Sequence, residues 1–194
     1  RLPFRSRIGQ GSQITLKNMT IVGACGPGEC QSNAAPPEKD GYVQYGVNLE
    51  STASPVLDGL HIPDVLSDGI GIEGTLDPNC CWSGQPTSDA TIQNSVVDHV
   101  GRQGISVTDL DGGVIRNTTI AESPETGIDI EVDNQGFVAR NLKILGNTFT
   151  HIHANDISNG GLGAAPDVGN IDIENNTMSD QATTCAEGGI YLRA

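Results

Sequence analysis

The chain has 194 residues, enough for one sizeable core, and its 25 glycines and 4% aromatic residues argue against a helical bundle. Its 36% hydrophobic content is too high for disorder, and no apolar run approaches the roughly 20 residues that a membrane helix needs. The formal net charge of −14 disfavours nucleic acid, membrane insertion and polyanionic substrates, unless a cation or a local basic patch intervenes.

Two short motifs alternate along residues 12–194. The first is an apolar strand that runs into an Asn or its equivalent, as in "ITLKNMTI" and "GVIRNTTI", at Asn18, Asp58, Asn94, Asn117, Asn147 and Asn176. The second is a Gly-aliphatic strand, as in "DGIGIEG" and "TGIDIEVD", which begins at Gly46, Gly69, Gly104, Gly127, Asp156 and Gly189. Repeated short strands without a helical period predict an all-β solenoid, a single-stranded parallel β-helix of about six coils.

The recurring Asn predicts a stacked ladder of amides inside this solenoid. A side-chain amide can donate to the next amide and accept from turn backbone, which satisfies polar groups in a narrow interior. On this interpretation Asn18 and Asn117 are buried.

Two insertions, residues 22–42 and 74–90, interrupt the repeat and hold four of the five cysteines. Disulfides that staple these loops, together with the acidic charge, predict a secreted, extracellular protein, although the spacing leaves the pairing open. Aromatic rings near the insertions, Tyr45 and Trp82, suit stacking on sugar rings. The alternative for Trp82 is a small hydrophobic core within a disulfide loop.

In these Asn positions and Gly-aliphatic strands, the chain resembles the right-handed parallel β-helix proteins of the pectate-lyase-like superfamily. The resemblance implies a right-handed β-helix and leaves the activity open, because that superfamily includes lyases, hydrolases, epimerases, tailspikes and adhesins. The specific catalytic motifs of pectate lyases and polygalacturonases are absent. The chain opens without Met, and we expect one domain over 1–194 that is part of a longer protein.

The outward positions of the Gly-aliphatic strands predict a polar, acidic groove. Asp129 and Glu131 lie two residues apart on one strand, hence about 6.6–6.8 Å apart along it. That spacing falls inside the roughly 6.5–9.5 Å window of the carboxyl pair in an inverting glycosidase. We expect Asp129 and Glu131 to act as acid and base, and Glu73, Arg102 and Gln103 to hold the sugar.

A second column, five residues before each Gly-aliphatic strand, contains Asp64, His99, Glu122 and His151. It adds His99 as a candidate acid or base. We expect no cofactor. The alternative is calcium, because Asp129-Ile-Glu131 resembles the E-x-E pair that binds calcium in alginate-lyase-like β-helices. Calcium prefers six to eight oxygens, and two carboxylates supply few of them.

These features predict a secreted carbohydrate-active protein that cleaves a polysaccharide or oligosaccharide on the outer face of one sheet. Hydrolysis suits paired carboxylates better than lyase chemistry, which usually uses a Lys, Arg or His base. The alternative is a non-catalytic glycan-binding or structural module. The sequence fixes neither the substrate nor the oligomeric state.

Overall fold

The computed structural model describes residues 7–9, 13–25, 44–74, 85–132, 136–159, 167–179 and 189–192. Throughout these ranges the regular structure is β-strand, in three parallel sheets, and no helix occurs. No described residue belongs to a helix that could cross a membrane. The predicted all-β parallel solenoid is therefore confirmed.

Sheet A contains the Gly-aliphatic strands, in the predicted register. Its strands are β1 (Arg7–Gly9), β3 (Val47–Glu50), β6 (Ile70–Glu73), β9 (Ile105–Val107), β12 (Ile128–Ile130), β15 (Ile157–Ser158) and β18 (Ile190–Tyr191). The aliphatic residues that directly follow the first position of each Gly-aliphatic motif pair rung by rung: Val47, Ile70, Ile105, Ile128, Ile157 and Ile190. Strand β1 precedes the first predicted coil and pairs with β3.

The other predicted motif is two strands instead of one. Its first part forms sheet B from β2 (Thr15–Lys17), β4 (Val56–Asp58), β7 (Thr87–Gln93), β10 (Leu110–Arg116), β13 (Val138–Leu145) and β16 (Asp167–Glu174). Its second part forms sheet C from β5 (His61–Pro63), β8 (Val96–Asp98), β11 (Thr119–Ser123), β14 (Thr148–Ile152) and β17 (Thr177–Ser179). Each coil thus has three strands around one aliphatic core.

Left-handed residues mark the corners of the coil. One column, at the start of sheet B, contains Gln13, Ser54, Asp89, Gly112, Asn141 and Asn170. The middle corner, between sheets B and C, contains Asn18, Gly59, Asn94, Asn117, Gly146 and Asn175. A third column contains Asp64, His99, Glu122 and His151. Successive columns lie five residues apart along the chain, so left-handed residues recur at a fixed spacing within each coil.

The predicted Asn ladder was wrong in register at Asp58, Asn147 and Asn176, each one residue off the middle corner. Glycine shares the tolerance of Asn for positive φ, so Gly59 and Gly146 fill the corner in two coils. Asn18 and Asn117 are exposed rather than buried, because a left-handed corner residue points outward.

A shorter polar ladder runs inside, one residue after the middle corner. Asn147 Nδ2 donates to Asn176 Oδ1 at 3.0 Å and to the Ile115 carbonyl at 2.9 Å. The Thr118 amide donates to Asn147 Oδ1 at 3.0 Å. Among the predicted positions in the described residues, buried amide stacking is found at Asn147 and Asn176, and Thr118 takes the corresponding position one coil earlier. Asn94 also donates to Asp58 Oδ1 at 2.8 Å, but on the exposed side of the coil.

Both predicted insertions are shorter than expected. The amides of Gly23 and Cys25 donate to the carbonyls of Pro63 and Asp64 at 2.9 and 3.0 Å, so this part of the chain follows the coil. Strand β7 begins at Thr87, inside the predicted 74–90 insertion. Residues 26–43, 75–84 and 180–188 lie outside the described residues, and with them every cysteine except Cys25, so the disulfide pairing stays a prediction.

Candidate functional site

The outward-pointing side chains of sheet A form a polar surface that is largely buried. We call it the A face, and it comprises Tyr45, Asn48, Glu50, Asp68, Glu73, Gln103, Ser106, Thr108, Thr126, Asp129, Glu131, Asn155 and Ser158. Alternation along each short strand places these side chains outside, since successive residues of a strand point to opposite faces. The sequence predicts an open groove here, yet Gln103 is 1% and Asp129 7% exposed.

One amide joins the two predicted catalytic carboxyls. Gln103 Nε2, from the preceding coil, donates to Asp129 Oδ2 at 2.6 Å and to Glu131 Oε1 at 3.0 Å. Because both oxygens lie at these distances from one nitrogen, they are at most about 5.6 Å apart. The pair is closer than the strand spacing predicts, because the shared donor draws the two side chains together.

Burial and the neighbouring charge keep a proton on Asp129. Loss of solvation raises the pKa of Asp129 to about 8, and the Glu131 charge and a hydrogen bond between the two carboxyls act in the same direction. Two adjacent carboxyls whose environments push their protonation apart are the arrangement that supplies an acid and a partner carboxylate.

A buried ion pair lies beside this carboxyl pair. Arg102 donates to Asp68 Oδ1 at 2.8 Å through Nε and to Asp68 Oδ2 at 2.6 Å. The backbone N–H of Gln103 also donates to Asp68 Oδ1, at 3.2 Å. Burial works against the charge of Arg102, yet the hydrogen bonds and charge of Asp68 hold its pKa above the usual value. A second, longer contact of 3.6 Å joins Arg102 to Glu131.

Tyr45, Asn48 and Glu73 form a second polar group on the A face. The Tyr45 hydroxyl donates to Glu73 Oε1, and Asn48 Nδ2 donates to Glu73 Oε2 at 3.0 Å. Burial, and then the charge of Glu73, raise the pKa of Tyr45. The ring packs over Gly71, where an added Cβ would lie 2.9 Å from it. With 8% of its surface exposed, this ring has little area left for stacking on a sugar.

The structure brings together Arg102, Gln103, Asp129 and Glu131, and places Glu73 and Tyr45 on the same face. Asp68 is a further site residue that sequence reasoning missed as such, although it shares a predicted outward row with Gln103. Trp82 lies outside the described residues.

His99 belongs to a different surface. The predicted column is confirmed, since strand register aligns Asp64, His99, Glu122 and His151 at the end of sheet C. There His99 Nδ1 lies 3.1 Å from Asp98 Oδ1, and His151 Nδ1 lies 3.2 Å from Glu122 Oε1. These contacts pair the histidines with acids of sheet C and not with Asp129 or Glu131.

A cavity of about 710 Å³ lies at the corner between sheets A and B. Its lining includes Thr52, Ser88, Asp89 and Asn141. These residues do not belong to the A face, so the cavity is separate from the carboxyl pair.

Metal ligands do not cluster in the part of the chain that the structure describes. No group of three or more His, Cys, Asp or Glu side chains there is arranged to hold an ion. Asp129 and Glu131 would offer calcium two carboxylates, fewer oxygens than it prefers. The calcium alternative stays a prediction.

Comparison with known proteins gives matches of fold. No curated protein matches the chain in sequence. An alginate lyase from Paenibacillus sp. str. FPU-7 is 18% identical, with a TM-score of 0.60, over 94% of this chain and 58% of its own. The A-module of the mannuronan C-5 epimerase AlgE4 from Azotobacter vinelandii is 17% identical, with a TM-score of 0.47, over 75% of this chain and 47% of its own. The catalytic domain of a GH87 α-1,3-glucanase in complex with nigerose is 13% identical, with a TM-score of 0.37, over 76% and 37%.

The family comparison covers the whole repeat. A model described as right handed beta helix region matches residues 7–149 and 45–194. Together with the three parallel sheets and the lyase superposition, this match confirms the predicted right-handed parallel β-helix fold. The chain belongs to the right handed beta helix family.

Proposed function

We propose that the chain is an extracellular enzyme that hydrolyses a polysaccharide bound along the A face, with Asp129 as the proton donor and Glu131 as its partner carboxylate. The observation that supports this most is the shared Gln103 amide, which holds a protonated carboxyl and a second carboxyl within about 5.6 Å. Paired carboxyls of this kind are the machinery of glycoside hydrolysis.

The upper limit of about 5.6 Å lies below the roughly 6.5–9.5 Å of inverting enzymes and so favours a retaining course, in which the hydrogen bond between Asp129 and Glu131 opens to admit the sugar between them. Retaining enzymes keep their carboxyls about 5–5.5 Å apart, whereas inverting enzymes leave room for a water between them. Asp129 would protonate the glycosidic oxygen as Glu131 attacks the anomeric carbon and forms a glycosyl ester. Asp129 would then take a proton from the water that hydrolyses this ester, which restores both groups. The inverting mechanism that the strand spacing predicts is therefore less favoured.

A polysaccharide also agrees with the fold. The Paenibacillus protein that shares the fold is an alginate lyase, and the chain spans 58% of its length. Lyase chemistry itself fits this face less well, because Arg102, the cation beside the acid pair, is already hydrogen-bonded by both oxygens of Asp68. The acidic charge and the cysteine-bearing insertions support the extracellular location.

Release of reducing ends from a panel of polysaccharides tests this proposal. Asp129→Asn and Glu131→Gln should each lower the rate by a factor of about 10² or more, since each removes a group that acts in the transition state. The matched control, Asp111→Asn, changes an equivalent acid on sheet B and should keep wild-type activity. The wild-type rate should fall as pH rises through about 8, as Asp129 loses its proton.

The stereochemistry of the first product gives an independent check. NMR of the fresh reducing end should show retained anomeric configuration. Inverted product, or full activity in both acid variants, would contradict the assignment.

A non-catalytic glycan-binding module is the second candidate. The observation in its favour is burial, because side chains that are 1% and 7% exposed, Gln103 and Asp129, have little surface with which to reach a glycosidic bond. Binding of a glycan without release of any product would support this candidate over hydrolysis.

A further inference from the structure

We propose that the A face selects glycans that present hydroxyl groups and carry no carboxylate or sulfate, and that the Asp68–Arg102 ion pair is the element that rejects uronates. This inference rests on the proposed function for the location of the glycan. It concerns which glycan binds, and it holds or fails separately from whether the glycan is cut.

The A face leaves hydrogen-bond acceptors unused beneath its surface. Every buried side-chain polar atom without a hydrogen-bond partner, among the described residues, is an oxygen. On the A face these include Asn48 Oδ1, Gln103 Oε1 and Ser106 Oγ. The side-chain amides of Asn48 and Gln103 are oriented by their carboxylate partners. Their nitrogens therefore donate to the acids, and their oxygens are left without a hydrogen-bond donor.

The two amide oxygens among them, Asn48 Oδ1 and Gln103 Oε1, add negative potential beneath the face. Asn48 and Gln103 are at most 5% exposed, so they act on a bound sugar through their partial charge rather than through direct contact. In a site of low polarity such partial charges are screened weakly. A ligand anion above them is therefore disfavoured.

The nearby cation, Arg102, is already paired with an acid of the protein. Both oxygens of Asp68, which is 0% exposed, bind Arg102 in a two-point contact, and Glu131 lies on its other side. A uronate would have to compete with a buried carboxylate for this guanidinium. Breaking such a pair leaves a buried charge without a partner, which is costly.

An incoming sugar meets carboxylates at the accessible part of the A face. The side chain of Glu131 is 18% exposed there, and Glu73 is also partly exposed. Both present acceptor oxygens. Sugar hydroxyls can donate to them, whereas a uronate or sulfate would bring a like charge against them, and this repulsion is a device for specificity.

Binding to matched polymer pairs tests the proposal. Each pair is one uronan and its carboxyl-reduced form, which keep the same linkages and differ in a carboxylate against a hydroxymethyl group. Polygalacturonate, polymannuronate and β-1,4-glucuronan give three such pairs, measured by calorimetry at low salt. At least one reduced polymer should bind about tenfold or more tightly than its uronan. Equal or tighter binding of the uronan, uronan binding that requires added calcium, or no binding of any reduced polymer would each overturn the proposal.

A gain-of-binding variant tests the role of the ion pair. Asp68→Asn removes the charge that holds Arg102 and should improve the uronan-to-neutral affinity ratio by about tenfold. Asp111→Asn is the control, because it removes one acid from an exposed arginine pair of 2.7 Å on sheet B, leaves Arg140 paired with Asp167, and should leave the ratio unchanged. A folded Asp68→Asn protein with an unchanged ratio would contradict the assignment. If this variant fails to fold, the polymer pairs on the wild-type protein still decide the proposal.

The two proposals can fail independently. Reducing ends are measured in the same samples as binding. A neutral glycan that binds without being cut removes the hydrolase function and keeps the selectivity. A uronan that is bound tightly and cut removes the selectivity and keeps a cleaving enzyme.

Discussion

The outer faces of sheets A and B have the same alternation of aliphatic and polar residues, yet their acids behave in opposite ways. On sheet B, Asp111 accepts hydrogen bonds from Arg140 and Asn141, which hold its pKa below the usual value. On the A face, Asp129 is 7% exposed and its pKa is raised to about 8. A row of outward acids therefore does not mark a site. The distinction lies in whether an acid is buried without a cation of its own, because such burial favours the protonated form at Asp129, whereas Asp68 is buried against Arg102.

The largest expected difference between the faces is the cost of losing an arginine. Arg102→Ala leaves Asp68, 0% exposed, without its cation and should lower the free energy of unfolding by roughly 3–5 kcal/mol. The lower end applies, because the Arg102 side chain is 34% exposed. Arg140→Ala removes two exposed pairs of sheet B, with Asp111 and Asp167, and should change stability little. Urea denaturation of both variants measures the difference, and equal losses would break the comparison.

The next effect is a pH dependence of stability. The folded pKa of Asp129 lies above its ordinary value of 3.8, so the folded chain holds an extra proton between about pH 4 and 8. The free energy of unfolding should therefore fall as pH rises through this window, by about 1 kcal/mol per pH unit. Asp129→Asn should flatten this slope between about pH 6 and 8, whereas part of it remains below pH 6 because burial also raises the pKa of Asp109 to about 6.

Asp111→Asn is the control for that slope. The pKa of Asp111 is lowered, so its contribution is present above the ordinary pKa and is lost only as pH falls into the acid range. Denaturation midpoints from pH 4 to 8 should keep the wild-type slope in Asp111→Asn. A flat wild-type curve would show that Asp129 is ionised across the window.

A glycine pair probes how tightly each face is packed. Gly71→Ala would place a Cβ 2.9 Å from the Tyr45 ring, which is held by Glu73, and should cost about 1–3 kcal/mol. Gly169, which pairs with Arg140 on sheet B, has no atom within 4 Å of an added Cβ. Gly169→Ala should be neutral or slightly stabilising. Thermal unfolding compares the two, and a harmless Gly71→Ala would show that the ring can move freely.

The smallest expected effect concerns salt. Whatever Arg140→Ala costs at low ionic strength should vanish near 1 M NaCl, where the Debye length is about 3 Å. The loss in Arg102→Ala should persist, because buried pairs are screened much less. If both losses disappear in salt, the A face is as solvated as sheet B.

The sequence predicts most of the fold, because the determinants of register are local. The column from Val47 to Ile190 follows from aliphatic alternation after a Gly or Asp, and every rung pairs in the predicted register. Its members are buried except Ile190, which is 47% exposed. The corner prediction fails where Gly59 or Gly146 replaces Asn, since the backbone requires a positive φ and not an amide. All six described middle-corner positions are Asn or Gly, so a pattern that accepts either residue would find this corner.

The site is less predictable, because its contacts cross coils. The placement of Asp129 and Glu131 on one strand follows from the sequence, but the Gln103 clamp depends on how far a side chain reaches between rungs. Alternation predicts that Asp68 points outward and cannot predict that it is buried. What covers a strand is set by distant parts of the chain.

Because the left-handed corner residues recur in every coil, the solenoid can be lengthened by inserting whole coils. Residues 117–145 run from one middle-corner position to the residue before the next, Gly146, and contribute a strand to every sheet. A tandem copy of that segment would keep every aliphatic residue in phase and extend the solenoid by about 4.8 Å. It would also duplicate Asp129 and Glu131, with Thr126 in place of the Gln103 clamp. The same protein could thus hold a clamped acid pair and an unclamped one side by side, each an internal reference for the other.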